Sequence, residues 1–149
     1  MRPRSIVNFE RVVLLNILLG IVNLVVNWDK MQAAQQAALV AKGQARMAGM
    51  VSSLTIGVEV IFVCIWLLLV WLISRKGSPV AKWIYVVLAV ITLIFALFGI
   101  GKAAALGTIP LVLAIVAHLL TLASLWFIFQ PDAKAWFAEG RSVDPADLR

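Results

Sequence analysis

The 149-residue chain has little charge, a single cysteine and a single histidine. Charged residues make up 13% and hydrophobic residues 63% of it, against about 25% and about 45–50% in ordinary soluble domains. Because small domains leave much of their surface exposed, a water-soluble core could not cover this much apolar surface. The composition therefore excludes a soluble enzyme and a disordered chain, and the lone Cys64 excludes a module held by intrachain disulfides.

Four long apolar runs account for the hydrophobic excess. A helix needs about 20 apolar residues to cross a bilayer, and the runs that reach this length are 6–27, 50–73, 80–100 and 106–129. They lack period-two alternation, which favours helices over barrel strands. The sequence predicts an all-α membrane protein, a single domain over residues 1–149 with four transmembrane helices in an antiparallel bundle. The first run lacks a small-residue cleavage motif, which favours an uncleaved anchor.

The segments between the runs predict turns and further helices. Residues 77–79, Gly-Ser-Pro, predict a tight turn with a helix stop, a cap and a first-turn proline. Residues 101–103 predict a second short link. Residues 29–49 are rich in alanine and glutamine, which favours an extramembrane helix that either extends a neighbouring run or lies on the surface. Pro131 predicts the start of a short interfacial helix over residues 131–139.

Basic residues are distributed unevenly between the two ends of the predicted helices. The end near both termini has nine of them and the other end has four: Arg2, Arg4, Arg11, Arg75, Lys76, Lys82, Lys134, Arg141 and Arg149, against Lys30, Lys42, Arg46 and Lys102. Because cytoplasmic loops carry the excess of Lys and Arg, both termini are predicted to be cytoplasmic. The net charge of +6 suits the anionic lipids of the bilayer, and no basic run with interleaved aromatics points to nucleic acid.

Two ionisable residues, Glu59 and His118, fall deep inside the predicted spans. A charge at the centre of a bilayer costs roughly 2.5–3.5 kcal/mol on insertion scales, so such a residue is a candidate for function. At about 1.5 Å per residue, Asn16, Glu59, Thr92 and His118 lie within about one or two turns of the same depth. They predict a buried polar cluster in which Glu59 and His118 share a proton or form an ion pair. Further polar residues on the same or neighbouring helix faces are Asn23, Thr55 and Thr121.

Ordinary helix packing is the alternative interpretation of these polar stripes. Asn, Thr, Gly and Ala are common between membrane helices, where an interhelical hydrogen bond contributes about 0.6 kcal/mol on average. Glu59 is the one acidic residue in the predicted membrane interior, because Glu10 lies near the end of the first run, so a paired-carboxylate mechanism is excluded. Triad, phosphate-loop, dinucleotide and metal-ligand spacings are also missing. The sequence therefore predicts no catalytic residue, no metal site and no cofactor.

Three stretches resemble a group of small bacterial four-helix membrane proteins: SIVNFER at residues 5–11, VNWD at 26–29 and FQPDAKAWF at 129–137. The group has no assigned activity, so the resemblance implies a multi-pass protein of the inner membrane and no mechanism. The lone membrane carboxylate also invites comparison with small multidrug-resistance transporters. Their essential carboxylate belongs to the first helix, whereas Glu59 belongs to the second run. The role of that carboxylate is therefore not assigned to Glu59.

Three functions fit the sequence. The first is a non-enzymatic subunit, homo-oligomeric or accessory to a membrane-protein partner, with the polar stripes as interfaces. The second is a small proton- or cation-coupled transporter or channel that uses Glu59 and His118. The third is a membrane enzyme acting on a lipophilic substrate, which would need more polar groups near the headgroups than this chain offers. The variant Glu59→Gln separates the first two, because only transport requires an ionisable group there.

Overall fold

The computed structural model describes residues 2–139 and folds this part of the chain into α-helices without a β-strand. The helices are α1 Arg4–Val26, α2 Trp28–Ala41, α3 Ala48–Lys76, α4 Pro79–Leu106, α5 Thr108–Ile128 and α6 Pro131–Glu139. Four of them, α1, α3, α4 and α5, are long and apolar enough to cross a membrane. The prediction of an all-α protein with four candidate membrane spans is confirmed.

The turn between α3 and α4 follows from its local sequence. Gly77 adopts a left-handed backbone with φ of 58°, which ends α3 at little steric cost. The Ser78 hydroxyl accepts a hydrogen bond from the backbone N–H of Ala81 at 3.2 Å, and Pro79 opens the first turn of α4. A donor that has no partner within the helix is thereby satisfied. The short turn brings the end of α3 next to the start of α4.

The link between α4 and α5 lies later than predicted. Residues 101–103 are helical, and α4 continues to Leu106. Alanine is the strongest helix former, so the Ala103–Ala105 run carries the helix past Gly101. The break falls at Gly107, whose φ of 120° is a conformation that L side chains rarely adopt. The predicted link at 101–103 is therefore wrong by about one helical turn.

Most of the segment 29–49 lies in the separate helix α2, which folds back onto α3, and in a short 3-10 helix at Ala45–Met47. Helix α1 ends before Asn27, whose side-chain amide donates to the Asn23 backbone and side-chain oxygens at 3.2 and 2.8 Å. Two hydrogen bonds then join α2 to α3: Ser52 donates to Gln32, and Gln35 donates to Thr55 at 3.3 Å. This helix therefore packs on the start of α3 and extends neither α1 nor α3.

The four long helices pack in a ring in which α1 and α4 each contact both α3 and α5. Burial is concentrated at one end of this ring, where α1 starts, α3 ends, α4 starts and α5 ends. Buried residues stop at Val13 in α1 and at Ala89 in α4, and in α3 they begin only at Leu69. We call this the closed end and the opposite one, beside α2, the open end.

Helix α6 covers the closed end. The indole N–H of Trp136 donates to the Ile73 carbonyl at 3.0 Å, and the backbone N–H of Ser5 donates to the Asp132 carboxylate at 3.2 Å. Ala133 and Phe137 of α6 are buried against the bundle. Because Ser5 lies in the first turn of α1 and Asp132 in the first turn of α6, the start of α1 and the start of α6 lie on the same side of the bundle.

Charged side chains around the closed end are held by local partners. Glu10 forms ion pairs with Arg2 and with Arg75, the latter at 3.8 Å. The buried Lys82 places its ammonium group 4.7 Å and 4.8 Å from the ring centres of Phe129 and Phe137. The negative faces of aromatic rings attract a cation, so Lys82 fastens α4 to the end of α5 and to α6.

Candidate functional site

A cavity of about 330 Å³ lies between the four long helices. Each of α1, α3, α4 and α5 contributes to its wall. Aliphatic and aromatic side chains and Gly20 form much of the lining, as in most small-molecule sites. The polar and ionisable wall residues are Asn16, Glu59, Tyr85, Thr92, His118 and Thr121.

Of the seven polar residues selected from the sequence, the structure brings five to this cavity: Asn16, Glu59, Thr92, His118 and Thr121. The other two have different partners. Asn23 accepts hydrogen bonds from Asn27 at the end of α1. The hydroxyl of Thr55 donates to the Val51 carbonyl and accepts from Gln35 of α2. Thr55 therefore belongs to the contact between α2 and α3.

An aromatic cluster forms the floor of the cavity toward the closed end. The ring of Tyr85 lies edge-on between Phe9 and Trp66, with centroid separations of 4.9 Å and 5.1 Å. The Tyr85 hydroxyl forms a hydrogen bond with Ser124 of α5. Sequence reasoning left Trp66 out of the site. Its spacing of seven residues from Glu59, two helical turns on one face, is the signal that places it there.

A hydrogen bond between α1 and α5 crosses the wall of the cavity. The side-chain amide of Asn16 donates to the Thr121 hydroxyl at 3.0 Å, and that hydroxyl donates to the Ala117 carbonyl at 3.0 Å. Because a hydroxyl has one hydrogen, its use on Ala117 makes Asn16 the donor in the first bond. The contact fixes the rotation of α1 against α5.

His118 also has its donor assigned by its surroundings. Its Nδ1 forms a hydrogen bond with the Ala114 carbonyl one turn earlier in α5. A carbonyl only accepts, so Nδ1 carries the hydrogen, and the neutral ring keeps Nε2 as an acceptor. Within residues 2–139, no ion pair or hydrogen bond joins His118 to Glu59.

Glu59 lies on the cavity wall in the half of α3 that has no buried residue. Its side chain is exposed to the open cavity, and no hydrogen bond or ion pair engages it within the described part of the chain. Thr92 is also exposed, and among the seven selected residues Thr121 alone is buried. The expectation of a buried polar cluster is corrected here, since five of the selected residues line a cavity and Glu59 and Thr92 are exposed.

A second, apolar groove of about 390 Å³ lies between α4 and α5. Its wall consists of aliphatic side chains such as Leu93, Leu97 and Leu122, together with His118. His118 thus borders both the polar cavity and the apolar groove.

Comparisons with known proteins and a search for metal ligands complete the description of the site. No family model matches the chain, and no curated protein or solved structure matches it. In residues 2–139 no group of three or more His, Cys, Asp or Glu side chains is arranged to hold a metal ion.

Proposed function

We propose that this protein is a small transporter that moves a proton or a cation through the cavity between its four long helices. The observation that supports it best is the Glu59 carboxylate, which faces this cavity without a partner in the described residues. Ionisable groups inside membrane segments are costly and mark ion and substrate pathways. A glutamine would pack equally well there, so the ionisable group points to function.

The difference between the two ends supports one step of an alternating-access cycle. Tyr85, Phe9 and Trp66 pack together on the side of the cavity toward the closed end, whereas α3 has no buried residue over 48–68. Transporters place their binding sites near the bilayer midplane and open one side at a time. In this proposal, the aromatic floor is the seal that must part for release at the closed end.

We place the closed end in the cytoplasm, with both termini there and the four long helices antiparallel. The short turns at Gly77–Ser78 and at Gly107 support antiparallel neighbours. Of the eleven Lys and Arg residues within 2–139, seven lie toward the closed end, which supports the orientation; Arg141 and Arg149 lie outside the described residues. Topology reporters fused after residue 42 and at the C-terminus test the orientation, and a cytoplasmic signal from residue 42 contradicts it.

Flux through reconstituted vesicles tests the proposed transport. We expect a Glu59-dependent uptake of protons, followed with an internal pH dye, or of a labelled cation. The variant Glu59→Gln should lose at least tenfold of this flux and keep its helical content by circular dichroism. Asp29→Asn is the matched control, because Asp29 is an exposed acid on α2 away from the cavity. Equal flux in the wild type and in Glu59→Gln contradicts the proposal.

A homo-oligomer or an accessory subunit of a membrane complex is the second candidate. It is favoured by the surface of α3 over residues 48–68, which has no buried residue and includes Glu59. The native Cys64 is exposed on the same helix, so oxidative crosslinking in membranes tests it. A disulfide-linked dimer that forms in the wild type and not in Cys64→Ser supports the oligomer. A monomeric mass of the wild type in lipid nanodiscs contradicts it.

A further inference from the structure

We infer that the cavity binds a protonated amine with an apolar body, an inference that rests on the proposed transport function and names its substrate class. The basis is the balance of donors and acceptors on the wall. Nearly every hydrogen that the polar wall residues carry is already used within the protein, while their acceptor positions are left. A ligand that fits such a wall supplies hydrogen-bond donors and positive charge.

The wall hydroxyls donate into the protein. Thr92 donates to the Leu88 carbonyl at 2.9 Å, and Thr121 donates to the Ala117 carbonyl. Ser124 donates to the Thr121 carbonyl at 2.7 Å, so its own hydrogen is used and Tyr85 must be the donor in the bond with Ser124. All three wall hydroxyls therefore present only lone pairs to a ligand.

His118 and Asn16 also use N–H donors within the protein and leave acceptors for a ligand. His118 uses Nδ1–H on the Ala114 carbonyl, and its neutral ring then offers Nε2 as an acceptor. Asn16 uses one amide N–H on Thr121 and keeps its carbonyl oxygen. The donors left among the lining side chains are the second amide N–H of Asn16 and the indole N–H of Trp66, both uncharged. They do not balance the charge of the Glu59 carboxylate.

Charge and size narrow the ligand to an organic monocation. Glu59 is the single acid on the wall, and none of the lining residues is Lys or Arg. A divalent metal would need about six oxygen ligands around one point, and the described residues hold no such acidic cluster. A space of about 330 Å³ is instead at the lower end of the range for small organic ligands, roughly 300–1,000 Å³.

The apolar part of the ligand has its own surfaces. Phe62 and Trp66 follow Glu59 by three and seven residues on α3, so their rings lie beside and below the carboxylate on one face. Aromatic rings accept both hydrocarbon and ammonium groups. Beyond His118, the apolar groove between α4 and α5 continues the path for a hydrocarbon tail. The ammonium group would face Glu59 and the tail would run toward His118.

Binding to the wild-type protein in lipid nanodiscs tests this inference without a variant. The probes share one octyl chain: octylamine, which is protonated at neutral pH, octyltrimethylammonium, which has the charge but no N–H donor, and octanol, which has neither the charge nor an ammonium group. We expect octylamine to bind at least tenfold more tightly than octyltrimethylammonium, and octanol to bind no more tightly than to empty nanodiscs. Equal or tighter binding of octyltrimethylammonium, or saturable binding of octanol, overturns the inference.

Two further measurements separate this inference from the proposed transport. Octylamine should compete with the Glu59-dependent flux in vesicles, and Thr92→Val, which removes an acceptor and keeps the side-chain shape, should weaken octylamine binding by about threefold to tenfold. Glu59-dependent flux that octylamine does not inhibit overturns the substrate class and leaves transport standing. If the wild type shows neither Glu59-dependent flux nor amine binding, the transport proposal and the substrate class are both overturned.

Discussion

The closed and open ends of the bundle both have large apolar side chains and yet are packed very differently. At the closed end Ile6, Phe9 and Ile73 are fully buried, whereas at the open end Leu97 and Phe98 of α4 are 74% and 75% exposed. Hydropathy places both sets of side chains in the membrane. The difference shows that membrane insertion and helix packing are decided by separate features of the sequence.

Polar contacts and small residues explain why one end closes. Lipid tails are as apolar as leucine, so helices associate in a bilayer through close packing and hydrogen bonds. The closed end has the Tyr85–Ser124 and Trp136–Ile73 hydrogen bonds and the small residue Ala89. At the open end two hydrogen bonds join α2 to the start of α3, and beside the cavity the Asn16–Thr121 hydrogen bond links α1 to α5. A ligand therefore has room at the end that packing leaves open.

Truncating a side chain at each end gives the largest expected difference. Phe9→Ala removes a fully buried ring that packs against Tyr85, and we expect a loss of about 3–5 kcal/mol in the free energy of unfolding. Leu97→Ala removes a mostly exposed side chain and should change it by less than about 0.5 kcal/mol. Unfolding in mixed micelles, followed by circular dichroism, measures both. Similar losses at the two sites would mean that the ends are equally packed.

Removing a single hydroxyl from the aromatic floor should have a smaller effect. Tyr85→Phe keeps the ring contacts with Phe9 and Trp66 and loses the hydrogen bond with Ser124. We expect about 1 kcal/mol less stability and faster leak of protons through vesicles, because the seal loosens. Thr92→Val is the control for stability, since the Thr92 hydroxyl bonds only to its own helix. A proton leak through Tyr85→Phe vesicles no faster than through wild-type vesicles would show that this hydroxyl plays no part in the seal.

The sequence predicted the spans and the depth of the polar residues better than their surroundings. Helical rise alone put Asn16, Glu59, Thr92 and His118 near one level, and these four side chains line the cavity. Rise says nothing about the distance between helices, so the expected buried cluster is instead an open cavity. That distance depends on contacts far apart in the chain, which no local pattern encodes.

Turn positions and side-chain hydrogen-bond partners were likewise predictable only where a local sequence signal exists. The cap at residues 77–79 was predictable because Gly, Ser and Pro each carry a local signal there. The break at Gly107 was missed, since three glycines lie close together and only the backbone reveals which one takes a positive φ. Thr55 was assigned to the face of Glu59, but its partner Gln35 lies on α2, a helix whose return onto α3 is a tertiary event.

The Asn16–Thr121 hydrogen bond offers a finer measure of packing beside the cavity. A double-mutant cycle with Asn16→Ala and Thr121→Val should give a coupling of about 0.6 kcal/mol, the average for hydrogen bonds between membrane helices. Thr121→Val alone should be mild, because valine keeps the shape. Unfolding of the four proteins in mixed micelles yields the coupling. A value near zero would assign α1–α5 contact to packing alone.

The smallest expected effect is a pH dependence in the docking of α6. Hydrogen bonding from Ser5, whose backbone N–H donates to the carboxylate, and from the backbone N–H of Ala133 holds the pKa of Asp132 below its ordinary value. A carboxyl whose pKa is lower in the folded state stabilises that state at neutral pH, and this contribution is lost as the pH falls from the pKa of free aspartate through the lower pKa of the folded state. Because the carboxylate is exposed, salt screens much of the effect.

Hydrogen exchange of the α6 amides measures this docking. After correction for the intrinsic rates, exchange in the wild type should accelerate between neutral and acid pH. The variant Asp132→Asn should already exchange faster than the wild type at neutral pH, and its rate should change little between neutral and acid pH. Asp29→Asn, an exposed acid on α2 at the other end, should behave like the wild type. An identical pH response in Asp132→Asn would assign the docking of α6 to Trp136, Ala133 and Phe137 alone, and the closed end would then depend entirely on neutral contacts.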